Sequence, residues 1–105
     1  MIDLNRLQNL LGGNPDNVKR FIQIYKTQMP VSLKQIEDGI TEGNLETVSL
    51  AAHDIKSQSR YLGLKVVAKT AADLEEKADS GQSEKTLLLL FGKLTNQLNT
   101  ILPTL

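Results

Sequence analysis

Apolar residues recur every three or four positions along most of the chain, a spacing that places side chains on one face of an α-helix. The longest stripe keeps one phase through Pro30, so we predict a single helix over residues 15–42, kinked at the proline. Asn14 before Pro15 is typical of an N-cap followed by proline in the first helical turn. The stripe consists of Val18, Phe21, Tyr25, Met29, Leu33, Ile36 and Ile40.

Shorter stripes lie on both sides of this long helix, and most of them end at glycine or proline. A short helix is predicted first, from Asp3 to Leu11, because Gly12 and Gly13 follow it. Gly43 predicts the end of the long helix, and three further amphipathic helices come after it. Their inward stripes are Leu45, Val48, Ala52, Ile55, Ser59 and Leu62; then Leu64, Val67, Ala71, Leu74 and Ala78; and finally Leu87, Phe91, Leu94, Leu98 and Ile101.

Amphipathic helices that are joined by connections of a few residues bury their apolar faces against one another. We therefore predict an all-α fold, an antiparallel four-helix bundle with a short N-terminal helix. A chain of 105 residues has the length of one domain, so the bundle is expected to occupy residues 1–105 as a single unit.

The composition limits the classes of function. Lys plus Arg number 12 and Asp plus Glu number 12, and this zero net charge disfavours a nucleic-acid partner. Cysteine is absent and His53 is the only histidine, which excludes cysteine-ligated metal sites and sites with two histidine ligands in one chain. The longest apolar run, residues 87–91, is too short to cross a bilayer. We expect a soluble, cytoplasmic domain without metal or membrane contact.

His53 is the residue best suited to carry chemistry. At about 100° per residue, it lies roughly 140° from the centre of the inward stripe of its helix, so it is predicted to face solvent. Lys56 and Arg60 lie within about 60° of it around the helix axis. Both cations could attract a phosphoryl group bound to the imidazole, and Ser57, one turn along, could donate a hydroxyl hydrogen bond. Without the histidine, the same cations would indicate only a solvated charged surface.

A second feature of this face is apolar. Leu50 lies about 60° from His53 on the side away from the core, and Ser49 precedes it. Single exposed leucines are ordinary in soluble proteins. Beside a reactive side chain, however, an apolar residue is what a protein partner would contact, so we predict that Leu50 and Ser49 take part in docking.

The segment 50–63 resembles the signature of histidine-containing phosphotransfer (HPt) domains, which act in bacterial and plant phosphorelays. In that family an Ala-His pair is followed by lysine three positions after the histidine and by glycine ten positions after it. Ala52, His53, Lys56 and Gly63 match this pattern. The segment 72–75, Ala-Asp-Leu-Glu, resembles the Leu-Glu with which the next helix of the family usually ends. The resemblance extends over nearly the whole chain.

The resemblance implies that His53 accepts a phosphoryl group from an aspartate of one receiver domain and passes it to another. Nε2 would be the attacking atom, since Nδ1 lies closer to the backbone. Lys56 would then stabilise charge on the phosphoryl oxygens, with support from Ser57 and Arg60. Receiver domains of response regulators, or a hybrid sensor kinase, are the implied partners, and Mg²⁺ would belong to the receiver. We expect a monomeric carrier without a cofactor of its own, rather than an ATP-dependent kinase. The family usually has glycine where this chain has Ser57, which we expect to tune transfer without abolishing it.

Other interpretations remain open. The dimerisation and phosphoacceptor module of a sensor histidine kinase also has a histidine followed by an acidic residue, as in His53-Asp54. Its motif normally places proline five positions after the histidine, where this chain has Gln58, and its bundle needs two subunits. An adaptor bundle with an incidental His53 is a second alternative. A helical nucleic-acid binder is a third, which has only a small cluster of cations in its favour: Lys56, Arg60, Lys65 and Lys69.

Overall fold

The computed structural model describes residues 4–10 and 12–105, except for the side chains at positions 4, 6 and 10. Within this part of the chain there are five α-helices, one short 3₁₀ segment and no strand. The helices are α1 (Leu4–Leu10), α2 (Pro15–Glu42), α3 (Leu45–Tyr61), α4 (Lys65–Asp79) and α5 (Glu84–Ile101), and the 3₁₀ segment is Leu102–Thr104. The predicted all-helical class is confirmed. Asp3 and Leu11, the predicted ends of the first helix, lie outside the described residues.

α2 forms one continuous helix through Pro30, as the uninterrupted stripe predicted. The Asn14 side chain caps its first turn by accepting a hydrogen bond from the backbone N–H of Asp16 at 2.9 Å. At its other end, Gly43 adopts a left-handed conformation with φ of 72°, which glycine allows without a Cβ penalty. The bend at Pro30 stays a prediction.

The inward stripes form a single hydrophobic core, and some of their residues are only partly buried at its edge. Every predicted stripe residue of α4 is buried, and so is every one from Val48 to Leu62 on α3, while Leu45 is half-buried. Ser59 is the polar member of the α3 stripe, and its Oγ lies 2.8 Å from the buried hydroxyl of Tyr25 on α2. Burial raises the pKa of Tyr25 to about 12 against the opposing effect of the Ser59 hydrogen bond. Tyr25 therefore stays neutral, and the hydroxyls of Tyr25 and Ser59 are hydrogen-bonded to each other.

The four long helices pack in a closed order in which α3 lies between α2 and α4. Helix α3 packs against α2 and α4, and α5 also packs against α2 and α4, while α1 lies on α2. Each of the four long helices thus has two main neighbours, as a helical bundle requires. The molecule measures 43 × 22 × 18 Å, so its length is that of α2, whose 28 residues span about 42 Å.

Gly39 provides a test of how closely α2 and α3 approach. A Cβ at this buried position would lie 2.9 Å from Cγ2 of Val48 and 3.2 Å from the backbone oxygen of Asn44. We expect Gly39→Ala to lower the free energy of unfolding by about 1–3 kcal/mol, because a valine side chain and a backbone carbonyl have little room to move.

Gly92 is the matched control, since it also lies inside a helix but a Cβ there would meet nothing within 4 Å. Gly92→Ala should raise the free energy of unfolding by about 0.5–1 kcal/mol through helix propensity alone. Urea denaturation followed by circular dichroism measures both. Equal changes in the two variants would contradict the close approach at Gly39.

Candidate functional site

His53 lies in the middle of α3 and projects outward from the bundle. Its side chain is 52% exposed, whereas Ala52 before it and Ile55 two positions on are fully buried. The start of α3 is fixed by Asn44, whose side chain accepts a hydrogen bond from the Thr47 N–H at 3.2 Å. The 52% exposure of the side chain confirms the predicted exposure of the histidine.

A carboxylate of the neighbouring helix contacts the imidazole. Oε2 of Glu75, on α4, lies 2.8 Å from Nδ1 of His53, and Oε1 of the same carboxylate lies 2.5 Å from Nζ of Lys56. Glu75 and Lys56 are 18% and 17% exposed, so both are mostly covered while the imidazole protrudes. One carboxylate thus bridges two of the residues that the sequence singled out on α3, His53 and Lys56.

Several effects determine the ionisation of Glu75. Burial raises the pKa of its carboxyl, but the hydrogen bonds from Lys56 and His53, together with their charges, outweigh burial and hold the pKa below its ordinary value. The group is therefore an anion at neutral pH, and an ionised carboxylate only accepts hydrogen bonds.

The tautomer of the imidazole follows from this charge. Nδ1 of His53 must carry the proton that it donates to Glu75, so in the neutral ring Nε2 keeps its lone pair. The side chain is half-exposed, and Nε2 is the ring nitrogen whose lone pair is available to react. Attack from this same nitrogen is expected from the sequence, and its role in transfer stays a prediction.

The remaining predicted site residues lie on the same surface of α3. Ser57 and Arg60 are both exposed, and Leu50 is 61% exposed, as its angular position predicted. Ser49 is half-buried, and its hydroxyl donates to Oδ1 of Asp79 at 2.5 Å, so this hydroxyl already has a partner within the chain. Ser49 and Leu50 line an open groove between the start of α3 and the end of α4.

Glu75 is the site residue that sequence analysis did not select. It was noted only as part of the Leu-Glu pair that resembles the end of a family helix. The available signal was its position next to Leu74, which is fully buried and therefore places Glu75 at the edge of the core. That position does not say which residue of α3 it meets, because the answer depends on how the two helices are aligned.

Among the described residues, no group of three or more His, Cys, Asp or Glu side chains could hold a metal ion. In the same part of the chain, none of the helices combines the length and the apolar character needed to span a membrane.

Comparison with known proteins gave one match. The family model described as Hpt domain matches residues 20–102, which cover most of α2 and all of α3, α4 and α5. Searches of curated proteins and of solved structures found no match.

The tautomer of His53 can be tested by NMR. At about pH 9, where free imidazole is neutral, the ¹⁵N shifts of the wild-type ring should identify Nδ1 as the protonated nitrogen and Nε2 as the unprotonated one. Glu75→Ala should produce a mixture of tautomers, because the acceptor that selects Nδ1–H is gone.

Asp79→Ala is the control for this measurement, since Asp79 also lies on α4 but contacts Ser49. It should leave the imidazole shifts of wild type unchanged. A wild-type ring with its proton on Nε2 would contradict the role given to Glu75.

Proposed function

The chain belongs to the Hpt domain family of two-component signalling, and we propose that it is a phosphorelay intermediate that receives a phosphoryl group on His53 and hands it on. The donor would be a phospho-aspartate of one receiver domain and the acceptor an aspartate of another. One observation carries the proposal: the Glu75 carboxylate occupies Nδ1 of an exposed imidazole and leaves Nε2 unprotonated.

The arrangement suits a reversible transfer. Nε2 attacks phosphorus, a P–N bond forms, and the P–O bond to the donor aspartate breaks, with the aspartate leaving as a carboxylate. The ring keeps its proton on Nδ1 and becomes a phosphoimidazolium cation, which the Glu75 anion stabilises. In the onward step the P–N bond breaks and neutral imidazole leaves, a better leaving group than the imidazolate that an unprotonated ring would require.

Cations next to the ring support the same function. Lys56 carries a positive charge beside the imidazole, attached to the other oxygen of Glu75, and we propose that it stabilises phosphoryl oxygens during transfer. Ser57 and Arg60 on the same exposed face are proposed to assist it. In this proposal Mg²⁺ belongs to the receiver domain, the chain needs no cofactor of its own, and it acts as a carrier rather than as an ATP-dependent kinase.

The proposed partners are receiver domains of response regulators, or of a hybrid sensor kinase, that dock on a cytoplasmic monomer. Exposed Leu50 and the groove beside Ser49 offer an apolar contact next to the reactive ring. We further propose that the four long helices run antiparallel. The pairs Ser49–Asp79 and His53–Glu75 support this order for α3 and α4, because the residue numbers rise on one helix as they fall on the other.

The kinase dimerisation module is a weaker candidate for this chain. Such a module contributes two helices per subunit and completes its bundle with a second copy. Here α2, α3, α4 and α5 already pack against one another within one chain, and their apolar faces are buried together. An adaptor bundle with an incidental histidine gives no reason for the carboxylate on Nδ1.

The direct test is labelling by a phosphorylated receiver domain. Wild-type protein should take up label that is labile in acid and stable in base, the property of a phosphoramidate, and His53→Gln should take up none. Circular dichroism of the variant controls for folding, which should be unaffected because the side chain is half-exposed. Equal labelling of both proteins would refute His53 as the acceptor, and absence of label from a panel of receivers would favour the adaptor bundle.

The docking surface has its own matched pair of variants. Leu50→Asp should weaken binding to a receiver domain by about 10-fold or more, since it places a charge in an apolar contact next to the ring. Leu89→Asp is the control, because Leu89 is 69% exposed on α5, which is not a main neighbour of α3. Titration calorimetry measures both affinities. Equal weakening by the two variants would move the contact away from Leu50.

A further inference from the structure

Lys56 does not present its ammonium group freely to the ring. Nζ lies 2.5 Å from Oε1 of Glu75, and the side chain is mostly covered. The cation that the proposed function assigns to the phosphoryl group is therefore held by a carboxylate when His53 is unmodified. Either Lys56 acts only as a counter-charge for Glu75, or it leaves Glu75 when a phosphoryl group arrives.

We propose that Lys56 exchanges partners during transfer, moving from Glu75 to the phosphoryl oxygens as the bond between Nε2 and phosphorus forms. The inference rests on the proposed function and concerns the regulation of the same site. The lysine side chain is suited to this movement because it is a flexible four-carbon stem with three rotatable donors. A phosphoryl group also offers three strong acceptor oxygens and more negative charge than one carboxylate.

The charge balance around Glu75 favours the exchange. With neutral His53, the carboxylate has one cationic partner, Lys56, and one neutral donor, Nδ1–H. Once Nε2 carries phosphorus and Nδ1 keeps its proton, the ring itself is a cation that is hydrogen-bonded to the second carboxylate oxygen. The new imidazolium thus replaces the positive charge that Lys56 withdraws, so Glu75 does not remain an uncompensated anion.

It follows that Glu75 has two opposing effects on the reaction. It stabilises the phosphoimidazolium through Nδ1, and it competes with the phosphoryl group for Lys56. Glu75→Gln would keep an amide oxygen as a possible acceptor for Nδ1–H and would release the ammonium group, because a neutral amide binds a cation more weakly than a carboxylate does.

A double-mutant cycle separates exchange from simple charge compensation. His53 is phosphorylated with phosphoramidate, where Nε2 attacks phosphorus, the P–N bond of the donor breaks and ammonia leaves. The rate constants of wild type, Glu75→Gln, Lys56→Met and the double variant are compared. For each background we take the rate constant with Glu75→Gln divided by the rate constant without it. Exchange predicts that this ratio is at least about threefold larger with Lys56 present than in the Lys56→Met background.

The other outcomes of the cycle overturn the proposal. If Lys56 only compensates the charge of Glu75, this ratio is larger in the Lys56→Met background. There the uncompensated carboxylate repels the incoming phosphoryl group most, so its removal speeds the reaction most. If the two residues act independently, the ratios are equal. Thermal unfolding of all four proteins shows that each is folded at the assay temperature.

A spectroscopic measurement completes the test. After phosphorylation, a ³¹P–¹H NOE should join the phosphoryl group to the Hε protons of Lys56 and be absent from Lys56→Met; its absence from wild type would overturn the exchange. Because phosphoramidate needs no receiver domain, the two proposals can fail separately. Label from phosphoramidate without label from any receiver would refute the relay, while the cycle and the NOE would still decide the exchange.

Discussion

The contact between Glu75 on α4 and the side chains of His53 and Lys56 on α3 is the interaction on which the proposed chemistry depends. One mostly covered carboxylate accepts hydrogen bonds from His53 and Lys56, and through them it determines the tautomer of the ring and the resting position of the ammonium group. An exposed neutral imidazole without such an acceptor exchanges between its two tautomers, so neither nitrogen is fixed as the one that bears the lone pair. With the carboxylate attached, Nδ1 carries the ring proton and Nε2 keeps its lone pair, which is the arrangement that the proposed phosphoryl transfer requires.

The helical bundle supplies the rigidity that this contact needs. Helix α3 is held on one flank by α4 through Ser49–Asp79 and His53–Glu75. On its other flank it is held by α2 through the buried hydroxyl pair of Tyr25 and Ser59. Rotation of α3 about its axis would break contacts on both flanks and would bury polar groups without partners. The orientation of His53 is therefore a property of the packed bundle.

Much of the fold could be predicted from the sequence because helical periodicity is a local property. The phase that runs unchanged through Pro30 predicted one helix, and the stripe from Val48 to Leu62 predicted which face of α3 is buried. The same arithmetic placed His53 and Leu50 on the exposed side. Each of these inferences needs only the residues of one helix and the angle between them.

The partner of the histidine could not be predicted in this way. Glu75 meets His53 across an interface between helices, and a shift of α4 by one turn would bring a different residue to the ring. The sequence therefore indicated the exposed cations but gave no sign that Lys56 is occupied by a carboxylate. The exposure of Ser57 and Arg60 was predicted correctly, because it depends only on their angular position on α3. The hydrogen bond from Ser49 to Asp79 was not predicted, because it depends on how α3 and α4 are aligned.

Because α3 is held by contacts with both α2 and α4, its outward face can vary separately from its packing. The groups that hold the helix, Ser59 facing α2 and Glu75 on α4, differ from the groups that face outward, namely Leu50, Ser57 and Arg60. Substitution of Leu50, which the proposed transfer chemistry does not use, would change the surface that another protein could contact, while the imidazole stays where the bundle has placed it. Under the proposed function, duplicated copies of the chain could thus acquire separate partners through changes at this apolar position, with the contact between His53 and Glu75 kept in each copy.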